Sequence, residues 1–388
     1  LNCMCNNPTP GPYGDQLDGL SSYAFYDGPR RDRRIFTWFD STGNRLAYQA
    51  LDAAQVARTT YDFLVGQSAP GDFLCRDEPA EISFDRSAFT EYDLWEFLCH
   101  TGDADWLRGH AERTWTHLEE KVRPTRDERG LYHGTLMLPV APGYEASLPN
   151  QTTVHRGLCA AASLAAVLGE PERAGTYARW AEELASLIND AFWDEQAGAY
   201  RYRPDSTHFD EKGNAMAVLD GAAPPQRAAR VLELLKARHW RTWEGDAWGE
   251  ERPWGPTDFD RPWVPGEDGY DPDWTSWGWD ADIDYSPGGS NYNYCIAPQM
   301  AALEAAAHFA CGSEHDALTL LRRCFGNMVR QGSDTLWEQA SHLGRSRYLC
   351  GRNGGSLCHR WAAMAGSVLT EYVGGIRSLA PGYAHMAI

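Results

Sequence analysis

Apolar residues recur at helical spacing along most of this 388-residue chain, and short polar joints containing glycine interrupt the recurrence. Amphipathic or buried helices are expected over residues 46–66, 88–101, 104–121, 151–168, 171–193, 213–220, 224–238, 292–311, 314–330 and 357–373. The joints include Thr101-Gly-Asp, Gly169-Glu-Pro, Gly221-Ala-Ala-Pro-Pro and Gly312-Ser-Glu-His. Connections this short turn a helix back on its predecessor, so the elements pair as αα-hairpins. No alternation of strand and helix patterns appears, which argues against a doubly wound sheet.

Successive hairpins have few compact solutions. A superhelical solenoid needs self-similarity at a fixed period, typically about 34 or 40 residues for helical repeats, and the sequence has none. The other solution is a closed toroid of helical hairpins, the all-α (α/α)6 barrel, whose inner helices line a central pocket. That is the fold class expected, as a single domain over residues 1–388. In such a ring the last hairpin packs beside the first, so residues far apart in sequence can face one another.

Residues 240–290 break the helical pattern and carry Trp240, Trp243, Trp248, Trp254, Trp263, Trp274, Trp277 and Trp279, half of the 16 tryptophans. A long excursion inside a compact domain is commonly functional, and its aromatic content argues against disorder. We expect a lid or wall over the pocket, with indole faces for stacking on a ligand. A satellite core beneath a long excursion is the other reading.

The net charge of −19 argues against nucleic acid as a partner, because phosphate binding needs clustered Lys and Arg. No apolar run approaches the roughly 18 residues that a membrane helix needs. Ten cysteines lie without repeating spacing, and Cys3-x-Cys5 has no second pair or His to complete a zinc pattern. Asp280-x-Asp282-x-Asp284 opens like a calcium loop, but Tyr285 stands where such a loop needs Gly. We therefore expect no metal and no cofactor. Unpatterned thiols favour a cytoplasmic over a secreted protein, although Leu1 in place of Met leaves a trimmed leader open.

Two acidic segments read as loops: Asp27-Gly-Pro-Arg-Arg-Asp32-Arg and Thr335-Leu-Trp-Glu338. Two carboxylates brought together from opposite ends of the chain are what acid–base cleavage of a glycosidic bond requires. Further segments follow in order: Phe192-Trp-Asp with Ala199-Tyr, Gly213-Asn-Ala-Met-Ala-Val-Leu, Ser356-Leu-Cys-His359-Arg-Trp, and Gly375-Ile-Arg-Ser-Leu-Ala-Pro-Gly-Tyr383. Taken together, these landmarks resemble the α-L-rhamnosidase family, glycosidases with a six-hairpin catalytic barrel.

The resemblance implies Asp32 as general acid and Glu338 as general base in an inverting cleavage of a terminal deoxyhexose. It places Asp27 on sugar hydroxyls, Arg31 beside the acid and His359 in the sugar pocket; Trp337, next to Glu338 in sequence, is a further substrate-binding candidate. The implied partner is a small-molecule or oligosaccharide substrate. After the acid motif the family usually continues Leu-Gly-Trp-x-Gly-Asp, whereas this chain reads Arg34-Ile-Phe-Thr-Trp-Phe-Asp40. Trp38 and Asp40 are the substrate-binding candidates of that altered segment. The family's accessory β-sandwich domains find no counterpart in the sequence.

Each candidate has a plainer alternative. Asp27 and Asp32 could be ends of structural ion pairs, Glu338 a helix cap or ion-pair partner, and His359 a first-turn residue of a helix. The arginines around Asp32 would lower its pKa unless they pair with Asp27 or point away. Two other functions stay open on the same scaffold. One is an acid-catalysed cyclase, isomerase or dehydratase that stabilises a carbocation on indole faces. The other is a degenerate binding protein.

Overall fold

The computed structural model describes residues 89–109, 111–134, 146–207, 209–243, 274–275, 298–330, 336–337 and 360–387. Two compact units divide the chain: one takes Leu1–Ala146, Thr153–Ala185 and Leu369–Ile388, the other Ser147–Thr152 and Ser186–Val368.

In the first unit, α1 (Phe89–Thr101) ends at Gly102, whose φ of +69° suits the left-handed residue that closes a helix. Asp103 then caps α2 (Ala104–Arg108) by accepting from the Trp106 N–H at 3.0 Å. The helix expected over 104–121 is broken here. The Gly109 N–H closes α2 on Asp105 and Trp106, and α3 (Ala111–Thr116) starts afresh before passing into a π-helical turn at His117–Val122. Gly is a poor helix former, and the break falls at it.

Next come α4 (Leu148–Leu168) and α5 (Pro171–Ala191), joined through Gly169 at φ +81°. The Glu170 N–H bonds the Ala165 carbonyl at 2.8 Å, which satisfies the end of α4. The core of this unit is built on Phe97, Leu98, Leu107, Trp115 and Tyr177, all at most 1% exposed. Its buried aromatics are tied by their polar ends: Trp115 Nε1 donates to Glu170 at 3.3 Å and the Tyr177 hydroxyl to Glu119 at 2.6 Å.

In the second unit, β1 (Trp193–Asp194) and β2 (Ala199–Tyr200) form a short hairpin, with Trp193 opposite Tyr200. Asp194 organises the turn, since its Oδ1 accepts from the Gln196 and Ala197 N–H groups and its Oδ2 binds the Arg201 guanidinium. Strands this short have no readable period, and only the landmark residues mark them in the sequence.

There follow β3 (Phe209–Asp210), α6 (Glu211–Leu219), α7 (Pro225–Trp243), β4 (Trp274–Thr275), α8 (Pro298–Ala310), α9 (Glu314–Arg330) and α10 (Met364–Val368). The helix α7 runs on to Trp243, so the first residues of the expected Trp-rich excursion are helical. The helix expected over 357–373 is instead a 3-10 turn (Arg360–Ala363), α10 and a π turn (Leu369–Val373).

Helix α8 is buried on every side from Pro298 to His308, and α6, α9 and α10 pack against it. Its alanines, Ala301, Ala302, Ala305, Ala306 and Ala307, keep its surface thin enough for neighbours on all faces. Its buried Glu304 and His308 lie one turn apart, with Oε1 and Nε2 separated by 3.4 Å. The chain ends in the first unit, where β5 (Arg377–Ser378) pairs antiparallel with β6 (Met386–Ala387).

Candidate functional site

The described residues of the second unit carry a dense group of buried polar side chains where β3 enters α6. Asp210, Glu211, Lys212 and Asn214 are each at most 2% exposed. Such burial is rare for Lys and Glu and requires partners.

Asn214 supplies much of the order. Its Oδ1 accepts from the Tyr200 N–H at 2.9 Å, and its Nδ2 donates to the carbonyls of Tyr200 at 2.8 Å and Asp210 at 2.9 Å. One side-chain amide thus satisfies both main-chain groups of Tyr200 as a neighbouring strand would. Asp210 caps α6 through its Oδ2, which accepts from the Gly213 N–H. Gly213 has no room for a side chain: a Cβ would sit 2.7 Å from Leu148 Cγ and 2.9 Å from Asp210 Oδ2. Leu148 in turn donates its N–H to the Tyr202 carbonyl at 2.7 Å, so the first turn of α4 is fastened to the same place.

Burial pushes the Asp210 carboxyl up to about 7, with Glu211 adding to the rise and the Gly213 N–H and Lys212 opposing it. Its Oδ1 is buried and makes no hydrogen bond. An Asp whose folded pKa lies above its unfolded value of about 3.9 binds its proton more tightly when folded. The stability it contributes is therefore full below about pH 4 and is lost as pH rises towards 7. Asp210→Asn keeps a capping oxygen and removes the titration. Urea unfolding at pH 4.5 and 7.5 is expected to show the variant gaining on the wild type by on the order of 3 kcal/mol across that range. An unchanged difference between the two pH values would show that Asp210 stays ionised in the folded protein.

The pairing of β3 with β4 is parallel and sets Phe209 opposite Trp274 and Asp210 opposite Thr275. It links the buried polar group to the Trp-rich excursion. This group escaped the sequence reading, because Asp-Glu-Lys-Gly looks like a polar joint. An acidic residue three positions before Gly213 was the available sign of a helix cap.

Of the candidates from sequence, Trp337 is described and is buried, at 4% exposure. Asp27, Arg31, Asp32, Trp38, Asp40, Glu338 and His359 lie outside the described residues, as does the Trp-rich excursion apart from its first helical residues and Trp274–Thr275. Among the described residues there is no group of three or more His, Cys, Asp or Glu side chains arranged to hold a metal. Nor is any helix among them long and apolar enough to cross a membrane.

No protein-family model and no curated protein matches the sequence. Solved structures do. A rhamnosidase from Klebsiella oxytoca with rhamnose bound matches at a TM-score of 0.63 and 20% identity, over 92% of this chain and 62% of its own. A GH78 family rhamnosidase of Bacillus sp. GL1 matches at 0.61 and 21% identity, over 89% of this chain and 33% of its own.

The fold is that of the six-hairpin glycosidases. A GH63 mannosylglycerate hydrolase from Thermus thermophilus shares this six-hairpin fold at a TM-score of 0.55 and 15% identity, over 86% of this chain and 93% of its own. The all-α class and the (α/α)6 architecture expected from the hairpins are those of these neighbours. The chain spans less than two thirds of the length of the two rhamnosidases. At such identities the six-hairpin likeness is one of fold.

Proposed function

We propose that this chain is an inverting glycoside hydrolase of the α-L-rhamnosidase type, its catalytic machinery carried by one (α/α)6 domain with the Trp-rich excursion as a wall of the pocket. The observation that carries the reading is the fold likeness to a rhamnosidase over 92% of the chain. The acid-bearing loop and the Trp-Glu segment occur in the order that such an enzyme needs. In this reading Asp32 delivers its proton to the glycosidic oxygen as the bond to the sugar breaks. Glu338 takes a proton from a water that attacks the anomeric carbon from the opposite face. The two carboxyls then lie roughly 6.5–9.5 Å apart to admit that water. Trp337, buried and adjacent in sequence to Glu338, supplies an apolar neighbour that raises the basicity of the carboxylate.

Asp27, Arg31, Trp38, Asp40 and His359 complete the sugar pocket in this proposal. A panel of aryl glycosides tests it. Release of the aryl alcohol from an α-L-rhamnoside is expected, with the β-anomer of the free sugar appearing first by proton NMR. Absence of turnover on every α-rhamnoside by well-folded protein would remove the assignment. Appearance of the α-anomer first would remove the inverting mechanism.

A further inference from the structure

Of the seven large apolar side chains exposed among the described residues, five fall within one stretch of the first unit: Leu369, Val373, Ile376, Leu379 and Met386, each 46–54% exposed. Main-chain bonds make them neighbours. The Gly374 N–H bonds the Leu369 carbonyl at 2.7 Å and the Ile376 N–H the Thr370 carbonyl at 3.0 Å, which folds the approach to β5 back on the π turn. The Leu379 N–H bonds the His385 carbonyl at 2.8 Å, and Ser378 stands opposite Met386 in the β5–β6 pair.

The stretch is fixed to the end of α1. Ser378 Oγ donates to the Cys99 carbonyl at 3.2 Å, and the Tyr383 ring stands edge-on to His100 at 5.4 Å. Gly382 meets Gly102 so closely that a Cβ on either would stand 3.1 Å from the other's Cα. Two successive residues are left-handed there, Gly382 at φ 65° and Tyr383 at φ 56°. A Tyr keeps that conformation where its surroundings impose it. The apolar side chains are therefore displayed from a settled backbone, and a partner that covers them has little left to order.

Five side chains, each about half exposed, present on the order of 400 Å² of apolar surface, a size that marks interaction sites on monomers. A standard interface buries about 800 Å² on each partner, somewhat more than half of it non-polar. This face thus supplies the apolar share of one ordinary interface. Charge selects the partner. The chain carries −19, so most of one copy's surface repels another copy. Residues 369–388 carry Glu371 and Arg377 as their only Asp, Glu, Lys or Arg, and sum to zero with His385 neutral. A neutral apolar face is where two such acidic molecules can meet without repulsion.

We propose that two copies of this chain pair through residues 369–387 about a two-fold axis, with their β5–β6 hairpins meeting across it. Such an interface sets one patch against itself. The β5–β6 sheet has two strands among the described residues, so each hairpin brings an open edge to the contact.

Sedimentation equilibrium on the full chain, from about 1 to 100 μM, tests the pairing. The mass of two chains is expected at the top of that range, with the single chain growing on dilution. Val373→Glu and Leu379→Glu each set like charges against one another across the axis. Each is expected to raise the dimer Kd at least about 100-fold with an unchanged circular dichroism spectrum. Val329→Glu, at an exposed apolar residue of α9, is expected to leave Kd as it is. Amide hydrogen exchange of the wild type needs no variant: peptides covering 369–387 are expected to lose protection on dilution to single chains, while α5 peptides keep theirs. A single-chain mass throughout the range would overturn the proposal and leave the face to a partner of another kind. A dimer as tight in both segment variants as in the wild type would overturn it as well, since the contact would then lie elsewhere. So would protection of 369–387 that does not change with concentration.

Discussion

Glu338→Gln is expected to lower kcat on an aryl α-L-rhamnoside by about three orders of magnitude with little change in KM, because a positioned base contributes that much to a proton transfer. The amide fills the same space but cannot take the proton from the attacking water. Asp32→Asn should lose as much on substrates whose leaving alcohol needs protonation. On a dinitrophenyl rhamnoside, whose leaving group departs without a proton, the Asp32 variant should recover most of its rate. The Glu338 variant should not recover. Comparing the two variants on the two substrates therefore assigns acid and base separately. Equal losses in all four combinations would show that the roles are not divided in this way.

Asn214→Leu has the largest expected effect on stability. It strands the N–H and C=O of Tyr200, both now bonded to one buried amide. Leaving a buried main-chain group unsatisfied costs about 1–3 kcal/mol, so the loss should be on the order of 4 kcal/mol with some relief by rearrangement. Asn214→Asp keeps the acceptor for the Tyr200 N–H but has no donor for the two carbonyls, and it brings a charge into a buried site. It should destabilise by a similar amount at neutral pH. Urea unfolding followed by circular dichroism measures both. A midpoint within error of the wild type for the Leu variant would mean that the Tyr200 strand is held by something other than this amide.

The helical part of the fold was legible because joints and periods coincide. Helix α9 begins at Glu314 and ends at Arg330 as expected, since Gly312-Ser-Glu-His supplies both the left-handed stop of one helix and the acidic first turn of the next. Elsewhere tertiary bonding, not pattern, sets the structure. Glu211 and Lys212 look like solvent-facing residues of a joint, yet the fold buries them and begins α6 before the expected start. The strand pairs were invisible because two residues cannot display an alternation. The acid and base proposed above rest on their neighbours in sequence alone. The Asp210–Asn214 network could not be found in that way, because its partners lie at Tyr200 and Leu148 and depend on the chain having already turned.

The pairing of Phe209–Asp210 with Trp274–Thr275 has a consequence for how such a chain can change over time. It pins the chain between α7 and α8 near the midpoint of that stretch in sequence. Loop-closure entropy grows only with the logarithm of length, so the sequence on either side of the pinned pair can gain or lose residues at small thermodynamic cost while the pairing holds. Residues 244–273 and 276–297 are then independent fields for variation. A lineage could lengthen or shorten one stretch while the other stayed as it was.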